Sequence, residues 1–562
     1  MTRKKPHTAQ SAEATPHSKD SISKNKYAFL STKWGKLLPY LLTFFCLWTF
    51  STFIYGEVFT RTVQESFVTS DAELMKHLTD QSFGNLYFFG RYLLLIFHSK
   101  WIGGTVLSVL LTAVVYFLDK ALRLPQCLRG VSAIVPAALL LLWGNEGINI
   151  YYKNEPSLFV LQALGLFIVA LLATLISKII GHKTSANPPS ATVNVNGWKR
   201  WPIGTLIALL TLIPLNVYTS NSAENTILTA KMQNRILEND IYPLIEDGLS
   251  AKQPTRSVAA YYAIGLVQTD LLLEHLFDIS FHFPDIHLQT NDGSGEYGIF
   301  NADCNFYAGL INSSYRSAMD QTVMNGPRLY YLKRIALCAI LNQEKALALK
   351  YMDIISKVPF ESEFVETYSP MIEQPELIAQ HPSFSKVLAL NPTEQRFEQN
   401  YRSPAFLGYN IGMMEGSNSA LAPSMAACMY SKDLPNLALR AFQYKKITGT
   451  LPLAVQEALS IHARKNPDLY QYFPELNDAN LRLPHPANAN VNNFYLSIQS
   501  HFQEKYQSND WRQKMSEELK GGITEDLREL IIRDWKGHYV YYYYCENINQ
   551  KKEEKQESSG VN

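Results

Sequence analysis

The residues best suited to chemistry in this sequence are polar side chains at the ends of long apolar runs. Glu146, with Asn145 and Asn149, ends the third such run, where an ionisable group costs free energy unless it reaches water or a partner. Glu57 directly follows the first run, and Arg91 interrupts a shorter apolar stretch. Together these residues could act on a lipid-linked or saccharide substrate at a membrane–water boundary.

Each of these side chains also has an interpretation without chemistry. A carboxylate near the end of an apolar helix can extend to water, as Glu146 would. Glu57 is similar to the acidic residue that integral-membrane glycosyltransferases carry in their first outer loop. A single carboxylate beside a span is common, however, and such enzymes usually cross the membrane more than five times. No residue is therefore assigned a catalytic role.

Metal-capable side chains are concentrated in one segment after residue 274. The group consists of His275, Asp278, His282, Asp285 and His287. A proline intervenes, and the spacing matches neither a zinc nor an iron pattern. Asn291, Asp292 and Glu296 supply only part of a calcium loop. The sequence predicts no metal site and implies no cofactor.

Five apolar runs before residue 220 are long enough to cross a hydrocarbon layer of roughly 30 Å. They are residues 37–55, 101–118, 130–150, 158–180 and 203–217. Residues 83–97 are also apolar, but they contain Arg91 and number only about fifteen, which favours a surface-lying or re-entrant helix over a sixth crossing. The predicted transmembrane region is 37–220.

The distribution of cationic residues predicts the orientation of these spans. Residues 1–36, a predicted disordered arm, hold eight Lys and Arg against two acidic residues, and the loops after the second and fourth runs are also basic. The loop after the third run carries only Lys153, beside Glu146 and Glu155. We expect a cytoplasmic N-terminus, a first span that remains as an anchor, and a region after residue 220 that lies in the periplasm of a bacterium.

The region 221–548 has helical periodicity almost throughout, and the polar tail 549–562 is predicted to be disordered. From residue 221 onward the chain has 31 Lys and Arg against 40 Asp and Glu, an excess of nine negative charges. Nucleic acid and an anionic membrane face are therefore disfavoured as partners. Cys304, Cys338, Cys428 and Cys545 allow three pairings, and free buried thiols are the favoured interpretation.

Two stretches, 328–359 and 419–452, have features of tetratricopeptide helix pairs. Each has a short polar turn, a second helix with alanines and a closing proline. Ordinary antiparallel helix hairpins would also fit, because the tryptophan, the first-helix glycine and the strict spacing are missing. We favour an α-solenoid, because stacked pairs bury the apolar faces of a long helical chain. Its concave surface would bind a protein or peptide.

The order of features resembles a family of uncharacterised bacterial membrane proteins whose C-terminal half is tetratricopeptide-like. The resemblance covers nearly the whole chain and rests on the layout and on short phrases: FGNLYFFGRYLL, LLLLWGNEGINIYY, FYAGLINSSYRSAMDQTV and YVYYYY. It implies no activity, cofactor or catalytic residue.

The sequence thus predicts an all-α protein with an N-terminal multi-pass transmembrane bundle and a soluble tetratricopeptide-like domain. No motif names a reaction. The first hypothesis is a non-catalytic inner-membrane scaffold that presents its helical domain to the periplasm and binds a protein, peptide or envelope component there. The alternative is a membrane enzyme or transport component in which Glu57, Glu146 and Arg91 converge.

Overall fold

The structure, a computed structural model, describes residues 33–183, 202–283, 297–391, 418–476, 486–519 and 523–546. Every regular element within these ranges is a helix, which confirms the all-α prediction. Most of the basic arm and all of the tail 549–562 lie outside the described residues. So do five of the metal-capable and calcium-loop residues: Asp285, His287, Asn291, Asp292 and Glu296.

Five of the described helices are long and apolar enough to cross a membrane, which confirms the predicted number. We call these candidate membrane helices spans one to five, and in chain order they are Lys36–Ile54, Lys100–Ala121, Gln126–Ile150, Leu158–Ile180 and Ile203–Ser222. Pro214 lies inside span five, and the helix continues through it to Ser222. Residues 83–97 form a shorter helix, Gly84–Leu94, followed by a 3-10 turn, Leu95–His98.

The described chain divides into two compact units. Unit one contains Thr105–Leu142 and Ala163–Tyr218 together with the chain up to Phe50. Unit two joins the chain from Thr219 onward to two stretches of the N-terminal half, Ser51–Gly104 and Trp143–Gln162. The predicted domain boundaries at residues 36, 220 and 548 stay predictions.

Polar groups in unit one bind partners within that unit. The carboxylate of Asp119, near the end of span two, accepts hydrogen bonds from the Tyr40 hydroxyl at 3.0 Å and from the Gly130 backbone N–H at 2.6 Å. Asn216 in span five donates to the Cys46 backbone oxygen at 3.0 Å. Such pairing would be required in a membrane, because lipid offers no hydrogen bonds to replace those of water.

The helices of unit two before span two are short. They are Gly56–Gln64, Ala72–Thr79 and Gly84–Leu94. The helices after span five are Glu224–Leu237, Pro243–Ser250, Arg256–Thr269, Leu272–His275, Tyr297–Tyr307, Ile311–Asn325, Leu329–Leu341, Lys345–Ser356, Ser362–Tyr368, Pro370–Glu373, Glu376–Gln380, Pro382–Leu390, Leu421–Tyr430, Leu434–Thr448, Leu453–Lys465, Leu469–Tyr472, Pro486–Tyr506, Trp511–Glu518, Glu525–Trp535 and Tyr539–Cys545.

Helices that are adjacent in sequence pack against one another through much of unit two. Leu329–Leu341 packs on Lys345–Ser356, and Leu421–Tyr430 packs on Leu434–Thr448, so both predicted pairs consist of two packed helices. In Lys345–Ser356, residues Ala348, Met352 and Ile355 are buried, which is the spacing of one helical face.

The tyrosine-rich segment near the C-terminus forms a buried helix. Tyr539, Tyr541 and Tyr542 are buried in Tyr539–Cys545, and the Tyr539 hydroxyl donates to the Met429 backbone oxygen at 2.9 Å. All six cysteines are free, and the four in the C-terminal half are buried, as the favoured interpretation expected.

Two glycines of the membrane-length helices differ in how much room they leave for a side chain. A Cβ at Gly204 would lie 2.3 Å from the backbone carbonyl atoms of Leu128, whereas a Cβ at Gly165 would meet nothing within 4 Å. We expect Gly204→Ala to destabilise the protein by about 1–3 kcal/mol, because the obstructing atoms are backbone. Gly165→Ala is the control and should be neutral or slightly stabilising. Thermal unfolding in one detergent compares them, and equal Tm values would contradict this close approach.

Candidate functional site

Glu57 lies in the first turn of Gly56–Gln64 and is held by two partners. Its carboxylate accepts from the Lys100 Nζ at 2.7 Å and from the Asn234 side-chain amide at 3.0 Å. The same amide also donates to the Glu57 backbone oxygen at 3.1 Å. Glu57 therefore joins its own helix to the first turn of span two and to Glu224–Leu237.

Arg91 forms a two-pronged ion pair with Glu155. Its Nε and Nη2 atoms each lie 2.7 Å from one oxygen of the Glu155 carboxylate, the geometry that matches a guanidinium fork to a carboxylate. Its Nη1 donates to the Phe67 backbone oxygen at 3.1 Å. The Arg91 side chain is only 11% exposed, so this charge points inward.

The polar group at the end of span three contacts the turn that follows the span. Glu146 is half-buried and accepts from the Asn154 side-chain amide at 3.4 Å. The Asn149 backbone oxygen accepts from the Asn154 N–H at 3.0 Å, and Asn145 is exposed. Among these described residues, no hydrogen bond or ion pair links Glu57, Arg91 and Glu146 to one another.

A set of buried charges that the sequence analysis did not select lies elsewhere in unit two. This charge cluster consists of Arg61, Glu65, Asp303, Arg328 and Arg334. Glu65 accepts from Arg61, four residues earlier on the chain, and from Arg328 Nη1 at 2.9 Å. The other end of the Arg328 guanidinium donates to the Tyr152 backbone oxygen at 2.9 Å.

Asp303 is the second carboxylate of the charge cluster and is fully buried. It accepts from Arg334 Nη2 at 2.6 Å, from the Tyr261 hydroxyl at 2.8 Å and from the Tyr330 hydroxyl. The Arg61 guanidinium lies 3.7 Å from the centroid of the Tyr330 ring, a cation–π arrangement that connects the two halves of the cluster.

The pKa shifts show which protonation states the charge cluster holds. Burial lowers the pKa of Arg61, but the Glu65 carboxylate and other nearby groups outweigh this effect and raise the pKa overall. Burial, reinforced by Asp303, holds the pKa of Tyr261 well above its usual value. At neutral pH the guanidinium is charged and the phenol is a neutral donor. Arg61 and Asp303 are fully buried, and the other three charged side chains of the cluster are almost fully buried.

The sequence contained a signal for this cluster. Asp303 lies in the largely apolar segment GIFNADCNFYAG, and Arg334 lies in LYYLKRIALCAIL. A charge inside an otherwise apolar helix is expected to have a buried partner.

An open groove lies between helices of unit two that fall between residues 256 and 453. It encloses about 870 Å³, part of it open to solvent, and is lined by Val267, Asp270, Leu272, Leu273, Glu274, Lys386, Ala389, Leu390, Asn418, Ser419, Ala422, Pro423, Tyr444 and Pro452. Lys386 Nζ lies 2.7 Å from the Asp270 carboxylate, so these two charges offset each other. Glu274 is exposed and gives the groove a net negative charge. Burial, then Glu274 and Asp270, raise the pKa of Tyr444.

The described residues contain no group of three or more His, Cys, Asp and Glu side chains that could hold a metal ion. In the predicted metal-capable segment, His275 Nδ1 lies 2.8 Å from the Asp278 carboxylate, and both side chains are partly exposed.

From the burial of the charge cluster we predict that two Glu→Gln substitutions, one inside the cluster and one at the surface, differ strongly in their effect on the free energy of unfolding. Glu65→Gln leaves Arg61 and Arg328 buried without a counter-charge, so we expect a loss of about 3–5 kcal/mol in the free energy of unfolding. Glu373→Gln is the control, because its ion pair with Lys345 is more than half exposed. Thermal unfolding in detergent should show a large fall in Tm for the first variant and little change for the second. Similar Tm values would mean that Glu65 does not hold the cluster.

Comparisons with known proteins place the chain in a family. Residues 30–183 and 145–546 match a family described as a family of unknown function, DUF6057. No curated protein and no solved structure gave a match in the same comparisons. The match confirms that the sequence resembles an uncharacterised family, and because it covers most of the chain, the protein belongs to the DUF6057 family.

Proposed function

We propose that the protein is a membrane-anchored, non-catalytic binding platform. In this proposal its tetratricopeptide-like helical region lies on the periplasmic side of a bacterial inner membrane and binds a protein partner through the groove. The observation that carries the proposal is the groove itself, because it combines apolar and polar lining residues with an exposed carboxylate on a surface made of packed helix pairs.

The lining of the groove suggests the chemistry of the partner. Leu272, Leu273 and Leu390 are buried in its wall and would contact an apolar side chain. Glu274 stands beside them with an exposed carboxylate, whereas Asp270 is neutralised by Lys386. We infer a peptide segment in which a large apolar residue is next to Lys or Arg. The excess negative charge after residue 221 favours the same class of partner.

The contacts of the candidate catalytic residues favour a platform over an enzyme. Glu57 is bound by Lys100 and Asn234, and Arg91 is bound by Glu155. A carboxylate or guanidinium engaged in this way must break its ion pair before it can act on a substrate. The carboxylates of the charge cluster are buried and bound by guanidinium groups. These observations support a positioning role for the charged groups.

Unit two contains chain segments from both before span two and after span five, and this determines which form of the protein a binding experiment must use. Arg328 binds Glu65 and Asn234 binds Glu57, and both glutamates precede span two. A fragment that begins after span five would leave the buried Arg328 without its carboxylate, at a cost of several kcal/mol. Binding is therefore tested with the full chain in its membrane.

A photo-cross-linking residue at Ala422, inside the groove, tests the platform in cells. We expect one protein to be captured, with the cross-link next to a Lys or Arg beside a large apolar residue. Adding Glu274→Lys should lower the yield about tenfold, because it replaces attraction by repulsion. Leu496, an exposed residue of Pro486–Tyr506, is the matched control position. The same proteins captured at both positions, or an unchanged yield with Glu274→Lys, would contradict the proposal.

The side of the membrane on which the helical region lies is tested with Val323→Cys, because Val323 is 77% exposed in Ile311–Asn325. If this region is periplasmic, a membrane-impermeant maleimide should label the variant in spheroplasts before any permeabilisation. The unsubstituted protein measures the background from its six native cysteines. Labelling that requires permeabilisation would place the helical region in the cytoplasm.

A further inference from the structure

We propose that the helix Gly84–Leu94, which we call the boundary helix, lies in the lipid–water interface with its apolar face in contact with lipid. The face is formed by Leu86 and Phe89, each 49% exposed, and their spacing of three residues places them on one side of the helix. Phe83, the residue before the helix, has a left-handed backbone (φ 62°) and adds a third ring that is 73% exposed. A soluble protein rarely leaves such a row of large apolar side chains in water.

Close contacts at two glycines fix the position of the boundary helix, and of the 3-10 turn after it, against two spans. A Cβ at Gly90 would lie 2.9 Å from Leu161 Cγ and 2.9 Å from Ser157 Oγ, at the start of span four. A Cβ at Gly103, in the first turn of span two, would lie 2.4 Å from the Phe97 ring. The boundary helix and the 3-10 turn after it therefore pack on the first turns of two spans. A helix at that level meets the headgroup region of a bilayer.

The charge distribution of this segment supports lipid as the occupant. Arg91 is the only charged residue between 83 and 97, and its ion pair with Glu155 directs it away from the exposed face. The exposed face thus carries no charge that would have to leave water. Tyr87 and Tyr92 are half-buried on the flanks, and tyrosine is enriched at membrane interfaces.

A second aromatic group occurs at the same ends of the spans. Phe53, in the last turn of span one, and Trp101, in the first turn of span two, pack edge to face with ring centroids 5.5 Å apart. These side chains are 58% and 50% exposed. Exposed aromatic residues at the ends of spans form the belt that is typical of membrane proteins. The lipid-facing surface of the boundary helix continues this belt.

Spin labels at Leu86→Cys and Phe89→Cys, in the full chain, measure the depth of the boundary helix. The protein is reconstituted into vesicles of phosphatidylethanolamine and phosphatidylglycerol, and the accessibility of each label to oxygen and to a water-soluble nickel complex is compared. Val109→Cys, at the middle of span two and 55% exposed, gives the value for deep lipid. Val323→Cys gives the value for water. The labelled unsubstituted protein supplies the background.

We expect both labels on the boundary helix to report a depth between the two reference positions, with oxygen favoured over the nickel complex. Values equal to that of Val323→Cys would overturn the lipid contact. Values equal to that of Val109→Cys would overturn the interfacial position in favour of a re-entrant segment. None of these results depends on the groove, so the binding platform is tested separately.

Discussion

The structure of unit two depends on one carboxylate that holds two buried guanidinium groups. Glu65 accepts from Arg61 on the preceding helical turn and from Arg328, which is distant in sequence. A buried charge without a partner costs several kcal/mol, so the helix Gly56–Gln64 and the start of Leu329–Leu341 must lie together. Arg328 also donates to the Tyr152 backbone oxygen, which adds the turn after span three. Three parts of the chain that are distant in sequence are therefore held together by the need to pair these buried charges.

The five membrane-length helices could be predicted from the sequence because each is an apolar run of about 20 residues, the length that a membrane crossing needs. Helical periodicity likewise located both packed helix pairs. The ion pairs could not be predicted in this way. Spans two and three lie between Arg91 and Glu155 along the chain, and spans two to five lie between Glu57 and Asn234. Sequence indicated that these charges were unusual, but only packing determines which partner each one meets.

Asp303 and Arg334 illustrate a signal that was present in the sequence and could have been used. Each is a charged residue in a largely apolar helix, although Lys333 directly precedes Arg334, and the structure pairs Asp303 and Arg334 at 2.6 Å. The residues selected for chemistry lie instead at the ends of spans, because ionisable groups near lipid are often functional. Two of those residues, Glu57 and Arg91, prove to be engaged in ion pairs. Unusual position alone does not separate a functional charge from a structural one.

Accessibility divides the charged residues of unit two into buried and exposed groups. In the charge cluster every carboxylate is buried and bound by guanidinium groups, and the cluster therefore holds helices together. In the groove, Asp270 is offset by Lys386, while the Glu274 carboxylate is exposed beside buried leucines. In the boundary helix the exposed residues are apolar instead of charged. Gly90 permits close packing on span four, and the one charged residue, Arg91, is bound by Glu155. Its ion pair is satisfied internally, and the exposed Leu86 and Phe89 are apolar, as the proposed contact with lipid requires.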